Sequence, residues 1–230
     1  MKVLVIGSGG REHAIVDALT RSAQVEKIYC APGNAGIARQ AECVAIRETE
    51  VERLRDFAAE NAIGLTVVGP EVALAAGVVD CFKAAGLRIF GPSKAAARIE
   101  SSKEFAKELM AKYGIPTAGF RAFTDYAEAV AYVGARPLPA VLKYDGLAAG
   151  KGVVIAQTMA EAEAALKDML LDDKFGEGKV VVEDYLEGPE FSFMCFVSGN
   201  KVWPMVLAQD HKRAYDGDKG PNTGGMGAYS

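Results

Sequence analysis

Lys103, Lys143 and Lys151 matter for their surroundings. Lys103 opens a helical stretch after Ser101-Ser102, Lys143 nearly closes the apolar run AVLKY (140–144), and Lys151 lies in DGLAAGKG (145–152), directly ahead of VVIAQ. A lone lysine is ordinarily a solvated surface charge. Three ammonium groups beside a segment rich in glycine amides suit a polyphosphate instead, with Gly146, Gly150 and Gly152 letting the backbone approach closely. The spacing is not that of a P-loop, because Gly152 follows Lys151 where a Ser or Thr is needed. Downstream, VVVEDYLEGPE (180–190) offers an apolar strand with Glu183, backbone groups at Asp184, Tyr185 and Leu186 that could read a purine edge, and Glu190 for a ribose. The same stretch also reads as a surface strand with scattered acids.

A second cluster opens the chain. GSGGRE (7–12) follows an apolar run and begins a helical pattern, but the third glycine of G-x-G-x-x-G would fall at Glu12, and the second strand ends in Cys30-Ala31-Pro32 without the acid a dinucleotide ribose requires. What remains is a run of glycine amides with Arg11 beside them, suited to a single phosphate, or a turn that only lets strand and helix pack closely. Asn34 and Gly36 in PGNAG, and Glu71 in VGPE, would face the same crevice. His13 reads as a packed or capping side chain.

These residues need a frame. Over the first hundred positions short apolar runs, VLVIG (3–7), KIYCA (27–31), LTVVGP (65–70) and RIFGP (88–92), alternate with helical patterns, one of them continuous through ALAAGVVDCFKAAG. Such alternation predicts right-handed crossovers and a parallel sheet, with ligands at the carboxyl ends of its strands. From residue 94 a long helical stretch breaks near Ser101-Ser102 and stops at Ile115-Pro116. FRAF, the helix DYAEAVAYVGA, AVLKY, VVIAQ, the helix EAEAALKDML and VVVEDYL then predict an α+β unit whose strands pair across the glycine loop. EFSFMCFVSG and KVWPMVLAQD read as two further strands.

Composition narrows the classes. Of 230 residues 50% are apolar and 24% charged, and the net charge of −4 gives no general field for nucleic acid. The cysteines, at 30, 43, 81 and 195, form no C-x-x-C and read as reduced residues of a cytoplasmic protein. The apolar start is too short for a signal segment, and no apolar run reaches membrane-spanning length.

The strand lysine, DGLAAGKG and E-x-Y-L-E-G-x-E together resemble the ATP-grasp enzymes. GSGGREHA, PGNAG, VGPE, GPSKAAARIESSKEFAK and above all QDHKRAYDGDKGPNTGGMGAYS (209–230) resemble, more narrowly, the glycinamide ribonucleotide synthetase family across nearly the whole chain. Ala73, where the family tends to proline, and Tyr144, where a small residue is usual, are minor departures. The resemblance implies an α/β protein: an N-terminal parallel, Rossmann-like pre-ATP-grasp domain (1–101), then an incomplete α+β ATP-grasp domain made of a lysine helix with a small lid subdomain (102–188) and the start of a central subdomain (189–230). It implies a purine-biosynthesis ligase that joins glycine to 5-phosphoribosylamine through a glycyl phosphate, with the glycine loop closing over ATP. Lys143, Lys151 and Arg213 would be catalytic. Lys103, Gly146, Gly150, Gly152, Glu183 to Leu186 and Glu190 would join the two lysines in holding ATP. Gly9, Gly10 and Arg11 would take the phosphoribosyl phosphate, and Asp210, Lys212, Arg213, Asn222, Thr223, Gly224 and Gly225 would bound the glycine and acceptor pockets.

The family is roughly twice this long, and the resemblance implies magnesium, or manganese, held by residues beyond Ser230. The chain is therefore expected to be a fragment without turnover and open to self-association, whereas the full enzyme would be a monomer. Rival readings are a module that binds nucleotide and phosphosugar without reacting them, or another ATP-grasp ligase or carboxylase, though the latter would lack DHKRAYDGDKGPNTGGMG. Glu12 and the missing ribose acid disfavour an NAD dehydrogenase.

Overall fold

The computed structural model describes residues 1–230 except 147–151, 173–177, 218 and 224, and leaves the side chains of 221 and 222 undescribed. The chain divides into two units, Met1–Ser102 and Lys103–Ser230.

In the first unit the strands are β1 (Lys2–Gly7), β2 (Lys27–Pro32), β3 (Glu42–Cys43), β4 (Leu65–Val68) and β5 (Ile89–Phe90), and the helices are α1 (Gly10–Thr20), α2 (Val51–Glu60), α3 (Glu71–Ala76), α4 (Val78–Ala84) and α5 (Lys94–Ser101). The strands form one parallel sheet in the order β3-β2-β1-β4-β5. Its faces are buried by alternate residues of the same strands. Leu4, Ile6, Tyr29 and Ala31 pack into a core with Leu54 and Phe82, while Val3, Val5, Ile28 and Cys30 pack with Val16 and Ile37. Burial on both sides explains why these strands read as unbroken apolar runs. β1 has β2 on one side and β4 on the other, so the chain changes winding direction there, and the turn after β1 opens at the switch point where α/β sheets bind ligands.

Two details differ from the sequence reading. The continuous helix expected through residues 73–86 is two helices, because Gly77 adopts φ +95°, a left-handed conformation that ends α3 and starts α4. β3, only two residues long, has too little periodicity to be seen in the sequence.

The second unit begins with α6 (Lys103–Tyr113), separated from α5 at Ser102 as the double serine suggested. Then come β6 (Phe120–Phe123), α7 (Tyr126–Gly134), β7 (Ala140–Tyr144), β8 (Val153–Ala156), α8 (Met159–Leu170) and β9 (Val180–Asp184). The four strands make an antiparallel sheet, β6-β9-β7-β8. Ala140, Leu142, Tyr144, Ala156, Val180 and Val182 face α7 and α8, where Leu142 and Leu166 are wholly buried. Each such side chain removed from water contributes roughly 1.5–3 kcal/mol. With a strand period of two, Val141, Lys143, Val153, Ile155 and Glu183 fall on the opposite face.

Beyond β9 lie the hairpin β10 (Cys195–Ser198) and β11 (Lys201–Pro204), and two small ladders that pair β12 (Gln209–Asp210) with β15 (Ala228–Tyr229) and β13 (Arg213–Tyr215) with β14 (Lys219–Asn222). The strand expected through residue 186 stops at Asp184, and of the two runs of ten residues four each pair as the hairpin, followed by a Met205 N–H to Met194 O bond and a bridge from Ser192 to Ala208, while Gln209–Asp210 turns to β15. Pro204, which lacks an N–H, ends β11. No helix among the described residues is long and apolar enough to cross a membrane.

Candidate active site

The face of the second unit's sheet opposite α7 and α8 is the floor of a cleft of about 430 Å³. Val141, Val153, Ile155 and Ala118 form apolar walls; Lys143, Glu183, Glu190, Lys212 and Thr223 supply polar groups, and Asp184, Tyr185 and Leu186 form one rim. Where β9 ends, Asp184 N–H is still held by Gly119 O at 2.9 Å. Among the described residues no backbone hydrogen bond engages Tyr185, Leu186 or Glu187, so this edge presents open peptide groups beside the apolar floor. The Asp184 side chain points elsewhere, to Arg136, whose pKa that pairing raises.

The charges are arranged in layers. Glu183 is 6% exposed. Its Oε2 lies 2.8 Å from Lys107 Nζ, and its Oε1 lies 2.9 Å from Lys143 Nζ in an ion pair that is not an aligned hydrogen bond. Lys107, itself buried, also donates to Thr117 Oγ1 at 2.8 Å. At the outer rim Lys212 pairs with Glu190 and sits 3.9 Å from Asp210 Oδ1. Thr223 donates through N–H and Oγ1 to Lys212 O, at 2.7 and 2.9 Å, and its Oγ1 accepts from Gly225 N–H.

Lys103 is not in this lining. Its Nζ donates to Gly146 O at 2.9 Å, and Asp145 accepts from the Lys103 and Glu104 amides at the start of α6. Glu104 in turn pairs with Lys179 and raises its pKa. The base of the glycine segment is closed by Tyr144 N–H to Gly152 O, 2.8 Å, and Asp145 N–H to Lys179 O, 2.7 Å. Gly146 has φ +154°, and a Cβ there would meet the Tyr144 ring at 2.8 Å. Gly150, Lys151 and Gly224 lie outside the described residues. Arg213 also lies apart from the cleft, donating to Gly220 O at 2.7 Å, and Asn222 is placed only by its backbone pairing with Arg213.

In the first unit, Arg11, Gly69, Glu71, Pro92 and Glu100 border a cleft of about 490 Å³ at the carboxyl ends of β1, β4 and β5. Arg11 Nη1 donates to Gly69 O at 2.6 Å and lies 3.8 Å from Glu71 Oε2. Gly9 N–H is already committed, at 2.6 Å, to Glu12, which is 4% exposed. The residue that breaks the dinucleotide pattern thus plugs the turn and takes up one of its glycine amides. Asn34 does not line this cleft. Its Nδ2 donates to Ser8 O, its Oδ1 accepts from Gly36 and Ile37 amides, and the His13 ring packs on Gly36.

Sequence reasoning missed Lys107 and Thr117. The only signal was KEFAK, whose spacing of four puts Lys107 one turn beyond Lys103. The apolar cleft walls Val141, Val153 and Ile155 lie in the continuous apolar runs AVLKY and VVIA, in which nothing marks the cleft side from the core side.

Together, the sheet with a lysine on the face opposite its helices, a glycine segment between adjacent antiparallel strands and a free peptide edge at β9 define an ATP-grasp domain, which follows a parallel α/β domain in the sequence. Residues 101–230 match the family described as "Phosphoribosylglycinamide synthetase, ATP-grasp (A) domain", and residues 1–100 match its N domain. The chain belongs to the phosphoribosylglycinamide synthetase family. It is 60% identical to a phosphoribosylamine–glycine ligase of Listeria innocua over 100% of this chain and 56% of that protein, and 56% identical to one of Streptococcus pneumoniae over the same shares. A crystal structure of phosphoribosylamine–glycine ligase from Thermotoga maritima superimposes with TM-score 0.82 at 34% identity, covering 99% of this chain and 55% of that one. N5-carboxyaminoimidazole ribonucleotide synthetase of the same organism, at 19% identity and TM-score 0.67 over 90% of this chain and 52% of that one, shares the fold. The chain spans about half the length of the curated relatives it matches.

Proposed function

We propose that this chain carries the nucleotide and phosphosugar sites of an ATP-dependent ligase that joins glycine to 5-phosphoribosylamine in purine biosynthesis. A glycine carboxylate oxygen attacks the γ-phosphorus of ATP and ADP leaves. The amine of phosphoribosylamine then attacks the acyl carbon of glycyl phosphate, and phosphate leaves with the formation of glycinamide ribonucleotide. The observation that carries this reading is the second unit's cleft: an apolar floor, a free peptide edge at Tyr185–Leu186 and the Lys143 ammonium in one lining. Adenine would lie against Val141, Val153 and Ile155, and the phosphates would run toward Lys143. Glu190 Oε1 is taken by Lys212, which leaves Oε2 for the ribose.

Lys103 and Gly146, already bonded to each other, would shape the phosphate end, with Gly150, Lys151 and Gly152 along the same segment. Gly10 and Arg11 would take the phosphoribosyl phosphate, with Gly9 shaping the turn while its amide stays on Glu12, Glu71 would meet the sugar or amine, and Asn34 and Gly36 would fix the loop beside them. Asp210, Lys212, Arg213, Asn222, Thr223, Gly224 and Gly225 would frame the glycine and acceptor pockets. Positioning and charge stabilisation dominate such chemistry.

Magnesium, or manganese, would accompany ATP. Among the described residues no group of three acidic, histidine or cysteine side chains converges as a metal site. A monomer in the cytoplasm, taking small molecules and no nucleic acid or membrane, accords with this reading.

The native gene product should form ADP, phosphate and glycinamide ribonucleotide in equal amounts, and only with glycine and phosphoribosylamine both present. ADP formation indifferent to glycine would overturn the assignment.

A further inference from the structure

We infer that Lys107 is a positioning residue which, through Glu183, sets the charge and place of the Lys143 ammonium without touching the nucleotide. The inference rests on the nucleotide-site reading of the cleft. Three observations carry it. Lys107 is 8% exposed and is not part of the cleft lining, whereas Lys143 is. The two ammonium groups bind different oxygens of the same buried carboxylate, Lys107 at Oε2 and Lys143 at Oε1, at 2.8 and 2.9 Å. Lys107 is itself anchored by Thr117 Oγ1 and lies 5.9 Å from the centre of the Phe120 ring.

A lysine buried this deeply is costly unless its charge has a use or a partner. A stability role alone would be met by one lysine on one glutamate, or by apolar side chains of similar volume. Two cations on one anion leave the trio with a net charge of +1. The buried member cannot reach the cleft, so that surplus charge is presented by Lys143. Without Lys107, Glu183 would neutralise Lys143 alone and draw the ammonium toward the sheet. An incoming phosphate would then meet a compensated ion pair. The geometry thus converts a buried cation into positive potential at the surface, and does so more strongly for a polyanion than for a neutral nucleoside.

A double-mutant cycle read by calorimetry on this chain tests the idea, with ATP and adenosine as probes. Lys107→Met should weaken ATP binding roughly tenfold, within the range of coupling for residues that share a partner, and leave adenosine affinity unchanged. In a Lys143→Met background the same substitution should have no further effect on ATP, and Lys107→Arg should restore most of the loss. If Lys107→Met does not fold, Thr117→Val, which removes only the anchoring hydroxyl, should give a smaller loss in the same direction, again absent without Lys143. An equal loss of ATP affinity in both backgrounds, or equal losses for ATP and adenosine, would make Lys107 a packing residue and overturn the inference alone. Failure of the unsubstituted chain to bind either probe would overturn the nucleotide-site reading beneath it.

Discussion

Asp145 caps the helix that begins at Lys103: one carboxylate oxygen accepts the backbone amides of both Lys103 and Glu104 from a residue some forty positions away in the chain. A carboxylate there satisfies two amides that the helix itself cannot, and it meets the positive end of the helix dipole. The same residue opens the glycine segment, so the cap also fixes where that segment leaves the sheet. Asp145→Ala should lower stability by about 1–2 kcal/mol, visible as an earlier denaturant midpoint. Asp145→Asn, which keeps an acceptor, should recover much of it.

Gly69→Ala probes the plug in the first unit. A Cβ at residue 69 would overlap the Glu12 carboxylate, and one at Gly7 would do the same to its stem. Glu12 would have to leave its buried place and release the Gly9 amide. The expected cost is about 2–4 kcal/mol, from overpacking and a lost charged hydrogen bond, measured by equilibrium unfolding. Gly10→Ala, where a Cβ meets nothing, serves as the mild control.

Acid should act on the first unit through Glu50. The Arg47 amide, then the Arg53 side chain, hold its carboxyl down to about 2 from an ordinary 4.5. The folded state thus keeps this group charged where the unfolded chain takes up a proton. Its contribution to stability is present above about pH 4.5 and is lost as the pH falls toward about 2. The stability gap between the protein and Glu50→Gln should be open at neutral pH and close across that interval; a gap unchanged by acid would contradict the pairing.

Thiol chemistry should separate the cysteines. Burial, then the neighbouring Cys43, pushes the Cys30 thiol up to about 12, and its Sγ donates to Gly7 O at 3.3 Å. Cys43 and Cys195 are exposed. Iodoacetamide near pH 8 should label those two first and Cys30 only on unfolding, as peptide mass spectrometry would show.

What could be read before folding follows from length scale. The parallel sheet, the break at Ser101-Ser102 and the pairing of AVLKY with VVIA rest on local periodicity, which the chain carries in itself. The end of β9 at Asp184 was not legible, because Tyr185 and Leu186 continue the apolar pattern while Gly119, far away in sequence, decides which amide is the last one paired. Gly77 looked like an ordinary helix glycine until its left-handed backbone divided α3 from α4. Lys107 was hidden for the opposite reason. Within an amphipathic helix a lysine reads as a solvent-facing charge, and only the sheet beneath it reveals Glu183 as its partner. In the cleft the sequence named Lys143, Glu183 and Glu190, whereas Lys103 and Arg213 turned out to be engaged elsewhere.

The hairpin β10–β11 pairs Phe196 with Trp203 and Val197 with Val202, so successive cross-strand pairs point to opposite sides, and all four residues stay about half accessible or more. Phe191, Phe193 and Val206 extend the same greasy ribbon. Dyes that brighten on apolar surface are a customary sign of loosened tertiary packing. On this chain they should glow in the fully native condition, so fluorescence of that kind would report the ribbon, and near-ultraviolet dichroism is the signal by which its melting should be followed.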